Sequence, residues 1–222
     1  MQNRYEAQGV EAEFEPGSGG RVLRNLLGIR SAREMARVES EKLLQAAERI
    51  FERFTEDHKF TATDVCEIHR EWLGGVYVWA GQYRNVNIAK GDFQFAAAAQ
   101  VPRLMSALDR GPLQQYTPCR KGPLSSISRA IAEVHAEAVL IHPFREGNGR
   151  CARVLASLMS LQAGLPPLDF GGIKGEKKRA YISAIHSALG RDYEPMTQVF
   201  KSVISRTSRV YGDQQKSWRG LS

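Results

Sequence analysis

One short segment of the chain gathers residue types that could transfer a phosphate-bearing group. The segment reads His142-Pro143-Phe144-Arg145-Glu146-Gly147-Asn148-Gly149-Arg150, and Arg153 follows after two further residues. An imidazole such as that of His142 can accept a proton near neutral pH, as a general base must. The glycines on either side of Asn148 allow a tight turn whose backbone N–H groups point into one concavity. A base beside such an anion nest suits the transfer of a phosphorus group.

The backbone expected around this segment also favours a phosphate site. Pro143 disfavours a helical conformation at His142, so the preceding helix is expected to end there. The next helix is expected to begin at about Asn148, which directs its free N–H groups and its positive dipole end toward the same space. The start of a helix is a ready-made site for anions.

Three charged side chains complete this constellation. Arg150 and Arg153 lie three residues apart, on one face of the first helical turns, where their forked guanidinium groups could hold phosphate oxygens. Glu146 offers a hard oxygen ligand for a Mg²⁺ ion that bridges phosphates. Each feature alone would be ordinary: a structural histidine, a glycine turn, a solvated arginine pair. Their concentration within the 12 residues from His142 to Arg153 favours a catalytic site.

Apolar periodicity predicts the helices that position this loop. One helix carries apolar residues from Ile127 to Ile141, and another runs from about residue 148 to residue 163, where Gly164 and Pro166 end it. Near the start of the chain, Ser31 and Glu34 form a capping box that begins a further helix. Helices are also predicted over residues 63–73, 176–189 and 195–208, and from residue 101 onward.

A short β-prone run interrupts the helical pattern before residue 101. Val86 and Ile88 precede the bend Lys90-Gly91-Asp92, and Phe93 and Phe95 alternate after it. This arrangement predicts a hairpin with glycine at its turn. The fold class is therefore mainly α with one β-hairpin. The domain boundaries predicted are an extended lead-in over residues 1–22, one domain over residues 23–208 and a basic tail over residues 209–222.

Composition limits the class of protein. The chain has 222 residues and a net charge of +7, no apolar run long enough for a membrane span, and no apolar segment at its start that would indicate a secretory signal. A cytoplasmic protein is expected, with export as an effector left open. The three cysteines form no CxxC pair, so neither a disulfide framework nor a zinc site is indicated. The charge alone raises nucleic-acid binding as an alternative, but without a recognition motif no direct binding is expected.

The segment resembles the signature of the Fic family, H-x-F-x-(D/E)-G-N-G-R-x-x-R, at every specified position from His142 to Arg153. The stretches Val76–Gly81 and Tyr83–Ile88 also resemble the strand-and-flap region of that family. The resemblance implies a Fic fold, a helical bundle with one hairpin, called the flap, beside the active-site loop. It also implies a protein adenylyltransferase that moves AMP from ATP to a Tyr, Ser or Thr hydroxyl of a target protein.

The resemblance further implies a role for each residue of the signature. His142 would deprotonate the acceptor hydroxyl, and Glu146 would hold Mg²⁺. Asn148 would bond the α-phosphate, assisted by the N–H groups of the two flanking glycines, Gly147 and Gly149. Arg150 would contact the β- and γ-phosphates. Arg153 would pair with the γ-phosphate or with an inhibitory glutamate.

The flap of the family pairs with the backbone of the target protein. By resemblance this role falls to the hairpin residues Lys90, Gly91, Asp92, Phe93 and Gln94. An exposed strand edge beside a catalytic loop could dock an extended target segment by strand addition. An ordinary structural hairpin remains the alternative.

Other functions stay open from the sequence. The Doc branch of the superfamily transfers the terminal phosphate of ATP and typically carries lysine where this chain has Gly149, which favours AMP transfer here. Other members transfer UMP or phosphocholine, or remove AMP. A catalytically silent nucleotide-binding regulatory module is an alternative of another class, although the complete signature argues against it.

Regulation is predicted from a motif that this chain lacks. Many Fic proteins carry an inhibitory helix, (S/T)-x-x-x-E-(G/N), whose glutamate pairs with the arginine that matches Arg153. The nearest candidate is Thr63–Glu67, but Ile68 follows where glycine or asparagine is needed. We therefore expect no internal brake. A toxin whose small antitoxin partner supplies the glutamate is the arrangement that the resemblance implies.

Overall fold

Helices form most of the protein. The computed structural model describes residues 6–7 and 13–219. The helices are α1 (Ala32–Arg53), α2 (Ala62–Leu73), α3 (Val101–Leu108), α4 (Gln114–Tyr116), α5 (Leu124–Ile141), α6 (Asn148–Gln162), α7 (Gly175–Ser187) and α8 (Glu194–Arg219). The prediction of a mainly α fold with a hairpin is confirmed.

Side-chain caps explain where the first two helices begin. The hydroxyl of Ser31 accepts a hydrogen bond from the backbone N–H of Glu34 at the start of α1, which is one half of the predicted capping box; the described contacts of this helix start do not include the return bond to the Glu34 side chain. Helix α2 begins one residue earlier than predicted, because Thr61 and Asp64 form a complete capping box. Its last turn reaches Leu73, and Gly74 ends it as expected.

The predicted helix from residue 101 is short and irregular at its end. Helix α3 stops at Leu108, and a π-helical turn follows over Asp109–Leu113. Pro112 lies inside that turn and lacks the N–H that a regular helix would use there. Helix α8 extends to Arg219, beyond the predicted end at residue 208.

The strands form a small antiparallel sheet in the order β1-β2-β3. The predicted hairpin is β2 (Ile88–Lys90) and β3 (Phe93–Gln94), in which Ala89 pairs with Gln94 and Lys90 with Phe93. Gly91 takes a positive φ of 58° at the bend. Strand β1 (Glu6–Ala7) pairs with β2 and was not predicted, since two residues are too few for a periodic signal. The rest of the predicted lead-in at residues 1–5 and 8–12, and the last residues of the predicted tail, 220–222, lie outside the described residues.

The described chain forms two compact units. The first comprises the described residues up to Phe54, with Thr61–Asp109 and Ile141–Cys151. Its core contains fully buried side chains from α1, α2, β2 and the loop after α5, namely Ile50, Ile68, Trp72, Leu73, Ile88 and Phe144. The hairpin and the residues from His142 to Arg150 both belong to this unit.

The second unit comprises Thr55–Phe60, Arg110–Leu140 and the described residues from Ala152 onward. Its largest buried side chains are Phe60, Leu113, Ile131, Leu155 and Phe200. Within the described part of the chain, no helix is both long enough and apolar enough to span a membrane.

Candidate active site

The loop between α5 and α6 carries the predicted base in an unusual backbone conformation. His142 has a φ of 51°, in the left-handed region that residues other than glycine seldom adopt. The residue is 4% exposed. Such a conformation persists only where its surroundings impose it, and it is frequent at functional sites.

Arg84 provides those surroundings from the segment that leads into the hairpin. Its side chain is buried and donates hydrogen bonds to the carbonyl oxygens of His142 and Val86 (2.7 Å each) and of Ala96. Its backbone N–H donates to the carbonyl oxygen of Pro143 at 2.8 Å. A single guanidinium group thus joins the backbone of the base to both ends of the hairpin.

The imidazole of His142 lies against the hairpin. Phe95, the residue after β3, stacks on the ring with a centroid separation of 3.7 Å and an angle of 23° between the planes. Phe95 also packs on the small cluster formed by Val86 and Ile88 beneath the hairpin. The predicted base and the predicted docking element are therefore in direct contact.

The predicted docking residues have different surroundings. Lys90, Gly91, Asp92 and Gln94 are exposed, whereas Phe93 is half-buried and meets Phe95 edge-on at 5.1 Å. Because β2 lies between β1 and β3, strand β3 is an outer strand of the described sheet. The docking role of these residues stays a prediction.

Asn148 closes the loop at the start of α6. Its side-chain oxygen accepts from the N–H of Phe144, and its amide nitrogen donates to the carbonyl oxygen of Phe144, both at 2.7 Å. These bonds occupy one of the two amide hydrogens. The turn also depends on Gly147, whose φ is 83° and where an added Cβ would lie 2.9 Å from the Trp72 ring. The fold itself therefore requires glycine at position 147.

Gly149 has neither of the constraints that act on Gly147. Its φ lies outside the left-handed region, and an added Cβ would meet nothing within 4 Å. Neither the backbone nor the neighbouring side chains explain the absence of a side chain in this first turn of α6. The first turn of α6 also begins with backbone N–H groups that have no partner within the helix, and such groups can bind an anion.

A second histidine, His69 on α2, supports the loop from below. Its Nδ1 accepts from the N–H of Gly81 at 2.9 Å, so Nε2 carries the hydrogen and donates to the carbonyl oxygen of Glu146 at 3.0 Å. The ring stacks on Phe144 at 3.8 Å. Burial lowers the pKa of His69 to about 4, with a smaller contribution from the charge of Arg150, which keeps the imidazole neutral.

The guanidinium group of Arg150 is held on two sides. Its Nη2 lies 2.7 Å from Oε2 of Glu39 on α1, and 3.5 Å from Oε1 of Glu146. Its guanidinium carbon lies over the ring of Trp72, 4.6 Å from the ring centroid. The other oxygen of Glu39 accepts from the hydroxyl of Tyr77 at 2.7 Å.

Arg153 lies in the second unit and has aromatic neighbours there. Its guanidinium carbon is 5.3 Å from the ring centroid of Phe170 and 5.7 Å from that of Tyr181. Burial raises the pKa of the Tyr181 hydroxyl, and the positive charge of Arg153 opposes this with a smaller lowering effect. That hydroxyl bonds Nε2 of the buried His135 at 2.7 Å. The role predicted for Arg153 remains a prediction.

The candidate inhibitory glutamate has another partner in the structure. Glu67 on α2 forms an ion pair with Arg53, the last residue of α1. Both side chains are partly exposed. The contact agrees with the interpretation of residues 63–67 as part of an ordinary amphipathic helix.

Sequence reasoning missed Glu39, His69 and Arg84 as parts of this site. Glu39 did leave a signal, because it lies on the same face of α1 as the buried Met35, Ala46 and Ile50, and a carboxylate on an apolar face needs a partner. His69 and Arg84 left no such signal. Their contacts with the loop join residues 77 and 58 positions apart, which no local pattern encodes.

Part of the chain matches a known protein family. Residues 59–160 match the Fic/DOC family. The chain is 34% identical to the protein adenylyltransferase VbhT of Bartonella schoenbuchensis over 156 residues, which are 68% of this chain and 30% of VbhT. It is 28% identical over 199 residues to the probable protein adenylyltransferase Fic of Salmonella typhimurium, covering 89% of this chain and 94% of that protein.

A solved structure has the same fold. The N-terminal Fic domain of a putative cell filamentation protein from Bartonella quintana, determined with bound ADP, superposes with a TM-score of 0.68 at 24% identity, over 86% of this chain and 92% of that one. The chain spans 27 to 34% of the length of several curated relatives that it matches.

Proposed function

Because this chain contains a domain of the Fic/DOC family, we propose that it is a protein adenylyltransferase that moves AMP from ATP to a hydroxyl side chain of a target protein. The observation that carries the proposal is the loop between α5 and α6. Within one compact unit it combines an oriented imidazole, an open first helical turn and a fixed guanidinium group. These are the parts that a phosphoryl-type transfer needs for positioning and for charge stabilisation.

In the proposed reaction, His142 takes the proton of the acceptor hydroxyl. The hydroxyl oxygen then forms a bond to the α-phosphorus of ATP, and the bond between this phosphorus and the bridging oxygen breaks, so that pyrophosphate leaves. The N–H groups of the first turn of α6 would face the negative charge that develops on the α-phosphate. Arg150 would hold the β- and γ-phosphates.

The space above Gly149 supports a nucleotide at this helix start. A phosphate can approach the backbone closely only where no side chain intervenes. Asn148 retains one amide hydrogen that its bonds to Phe144 do not use, and this hydrogen could reach a phosphate oxygen. The absence of a lysine at position 149 favours AMP transfer over transfer of the terminal phosphate.

We further propose that Mg²⁺ accompanies ATP, with Glu146 as its protein ligand. Among the described residues, no group of three or more His, Cys, Asp or Glu side chains could hold a metal by itself. A single carboxylate beside a phosphate site nevertheless fits Mg²⁺, which is usually bound by one or two carboxylates together with substrate phosphates. The ion would neutralise phosphate charge.

The hairpin is proposed to dock the target. Strand β3 is an outer strand, and an extended segment could add to it. Phe95 connects that strand to the imidazole, which supports a role for the hairpin in presenting the acceptor hydroxyl to the base.

Because ATP is the co-substrate, we propose that the reaction takes place in the cytoplasm. A small antitoxin that supplies a glutamate to Arg153 also remains a proposal.

The proposed function is tested by identifying which part of ATP is transferred to protein. The protein is incubated with a cell lysate and ATP labelled at either the α- or the γ-phosphate. We expect protein labelling from the α-label alone, a mass increase of one AMP on the target, and no labelling with His142→Ala, which should still bind ATP. Labelling from the γ-phosphate would establish the kinase alternative. A variant that labels as well as the wild type would exclude His142 as the base.

A further inference from the structure

The contacts around Arg150 assign a role to a residue outside the signature. We propose that Glu39 is a positioning residue that sets the guanidinium group of Arg150 for the β- and γ-phosphates of the nucleotide. This inference rests on the proposed function. Its structural basis is an ion pair between α1 and α6 whose residues are 111 positions apart and whose carboxylate is almost completely buried.

The carboxylate of Glu39 is itself fixed in place. Tyr77 donates its hydroxyl hydrogen to Oε1 at 2.7 Å, and the indole N–H of Trp72 donates to the main-chain oxygen of Glu39 at 2.8 Å. Glu39 is 6% exposed. Both carboxylate oxygens therefore have a partner, and the group cannot rotate without breaking a buried hydrogen bond.

Glu39 and Trp72 together restrict the position of the Arg150 guanidinium group. Glu39 binds one nitrogen, Nη2, and the guanidinium carbon lies over the Trp72 ring, 4.6 Å from its centroid. A guanidinium group has five N–H donors, so a contact to one nitrogen leaves others for phosphate oxygens. Because the side chain is already ordered, less conformational entropy is lost when it binds phosphate.

Glu39 also keeps a second contact of Arg150 weak. Oε1 of Glu146 lies 3.5 Å from the same nitrogen of Arg150. Without Glu39, Arg150 has Glu146 as its nearest carboxylate, and a tight pair between them would occupy the carboxylate proposed to bind Mg²⁺. Stability alone does not account for Glu39, because a buried ion pair often gains little over well-packed apolar residues.

The same contact also allows Glu39 to have the opposite effect on the affinity for ATP. A carboxylate on Arg150 could compete with phosphate, in which case removing it would tighten ATP binding. The two roles are distinguished by nucleotide length. If Glu39 positions Arg150, its loss weakens the binding of ATP but leaves AMP, which has no β- or γ-phosphate, almost unaffected.

The test measures the dissociation constants of Mg·ATP and AMP by calorimetry for the wild type and for Glu39→Gln, without target protein. We expect a loss of ATP affinity of roughly tenfold and a change in AMP affinity of less than about twofold, since a charge-assisted contact of about 1.4 kcal/mol corresponds to a factor of ten. Glu39→Asp, which retains the charge, should recover part of the affinity for ATP. Tyr77→Phe, which removes one anchor of the carboxylate, should show a smaller loss with the same selectivity.

A matched control is Glu71→Gln. Glu71 on α2 forms an exposed ion pair with Arg49, so its loss should change neither constant. Thermal unfolding of each variant reports whether the fold is retained. If Glu39→Gln does not fold, Glu39→Asp and Tyr77→Phe carry the same comparison of ATP with AMP.

Tighter ATP binding by Glu39→Gln would overturn the inference in favour of a brake. An equal loss for ATP and AMP, or no loss for either, would overturn it in favour of a structural role. Failure of the proposed function is recognised separately, because the wild type would then transfer no label from the α-phosphate of ATP to protein, whatever its affinities for ATP and AMP.

Discussion

At the scale of single residues, the structure concentrates its unusual features on His142. Arg84 holds the backbone of His142 in a left-handed conformation, and Phe95 covers its ring. Burial of a guanidinium group is costly unless its donors are used, and all three nitrogens of Arg84 donate to carbonyl oxygens, those of His142, Val86 and Ala96. The orientation of the base is thus built from residues outside the loop.

We expect Phe95→Leu to lower kcat roughly three- to tenfold with little change in the KM for ATP. A stacked aromatic pair contributes about 1 kcal/mol beyond its buried area, and the substitution removes this restraint on the imidazole. Steady-state kinetics with a labelled target provide the measurement. Phe93→Leu is the comparison, because it leaves Phe95 and its stacking on the imidazole in place. An increase in kcat would show instead that Phe95 shields the base.

Glu146→Ala should abolish most transfer and keep most of the loop in place, although it removes the hydrogen bond that Oε1 of Glu146 accepts from the N–H of Gly147 at 3.0 Å. His69 holds the loop through the carbonyl oxygen of Glu146, which the substitution retains. Loss of the side chain and removal of Mg²⁺ by a chelator delete the same interaction, so their effects on rate should not add. Rates measured for each change alone and for both together test this, and a full additional loss in the chelated variant would exclude Glu146 as the metal ligand.

At the scale of elements, strand β3 of the hairpin pairs with β2 on one side and has no paired strand on its other side in the described sheet. The N–H of Phe95 donates to the carbonyl oxygen of Ile88, toward β2. Along an antiparallel strand successive N–H groups alternate in direction, so the N–H of Gln94 points to the outer side of β3. This is the donor that an added strand would use first.

We therefore expect Gln94→Pro to reduce target labelling at least tenfold while leaving ATP affinity within about twofold. Proline removes the outward donor and is tolerated on an outer strand. Phe93→Pro is the comparison, because it disturbs the pairing with Lys90 inside the hairpin and should affect both properties. Labelling and nucleotide binding are measured on the same preparations. Normal labelling by Gln94→Pro would mean that the hairpin is not a docking edge.

The elements show how far sequence could lead. Helices α5 and α6 and the bend at Gly91 were predicted because periodicity, proline and glycine act locally. The capping pair Thr61 and Asp64 was overlooked, although its signal is local too. The contacts of Arg84 and His69 with the loop arise only after folding brings distant segments together, so the sequence does not reveal them. Glu39 differs, because its place on an apolar helix face is visible in the sequence.

At the scale of the whole molecule, each compact unit contains a buried neutral histidine. In the second unit, Nδ1 of His135 donates to the carbonyl oxygen of Ala152 at 3.2 Å, and Nε2 accepts from the Tyr181 hydroxyl. Burial lowers the pKa of His135 to about 4, with a smaller effect of the Arg153 charge. His69 has the same property in the first unit.

We expect the free energy of unfolding to fall as the pH decreases from about 6.5 toward 4. Unfolded histidine takes up a proton near pH 6.5, whereas His69 and His135 stay neutral in the folded state down to about pH 4. In this window the unfolded state binds more protons, so each histidine lowers stability by roughly 1.4 kcal/mol per pH unit. Urea unfolding across this range measures the slope. In His135→Gln the slope of the unfolding free energy against pH should be smaller by the contribution of one histidine. An unchanged slope would contradict the neutral, buried state assigned to His135.

The two glycines around Asn148 look alike in the sequence but differ in what a substitution would cost. Any side chain at position 147 meets Trp72 and a strained backbone, whereas one at position 149 meets empty space. A change at position 149 should therefore leave folding intact and alter only the way in which the nucleotide binds. This position can vary during evolution at no structural penalty. That freedom offers a physical route by which one ancestral scaffold could diverge into enzymes that transfer different parts of ATP, and it makes residue 149 the natural place to redesign that choice.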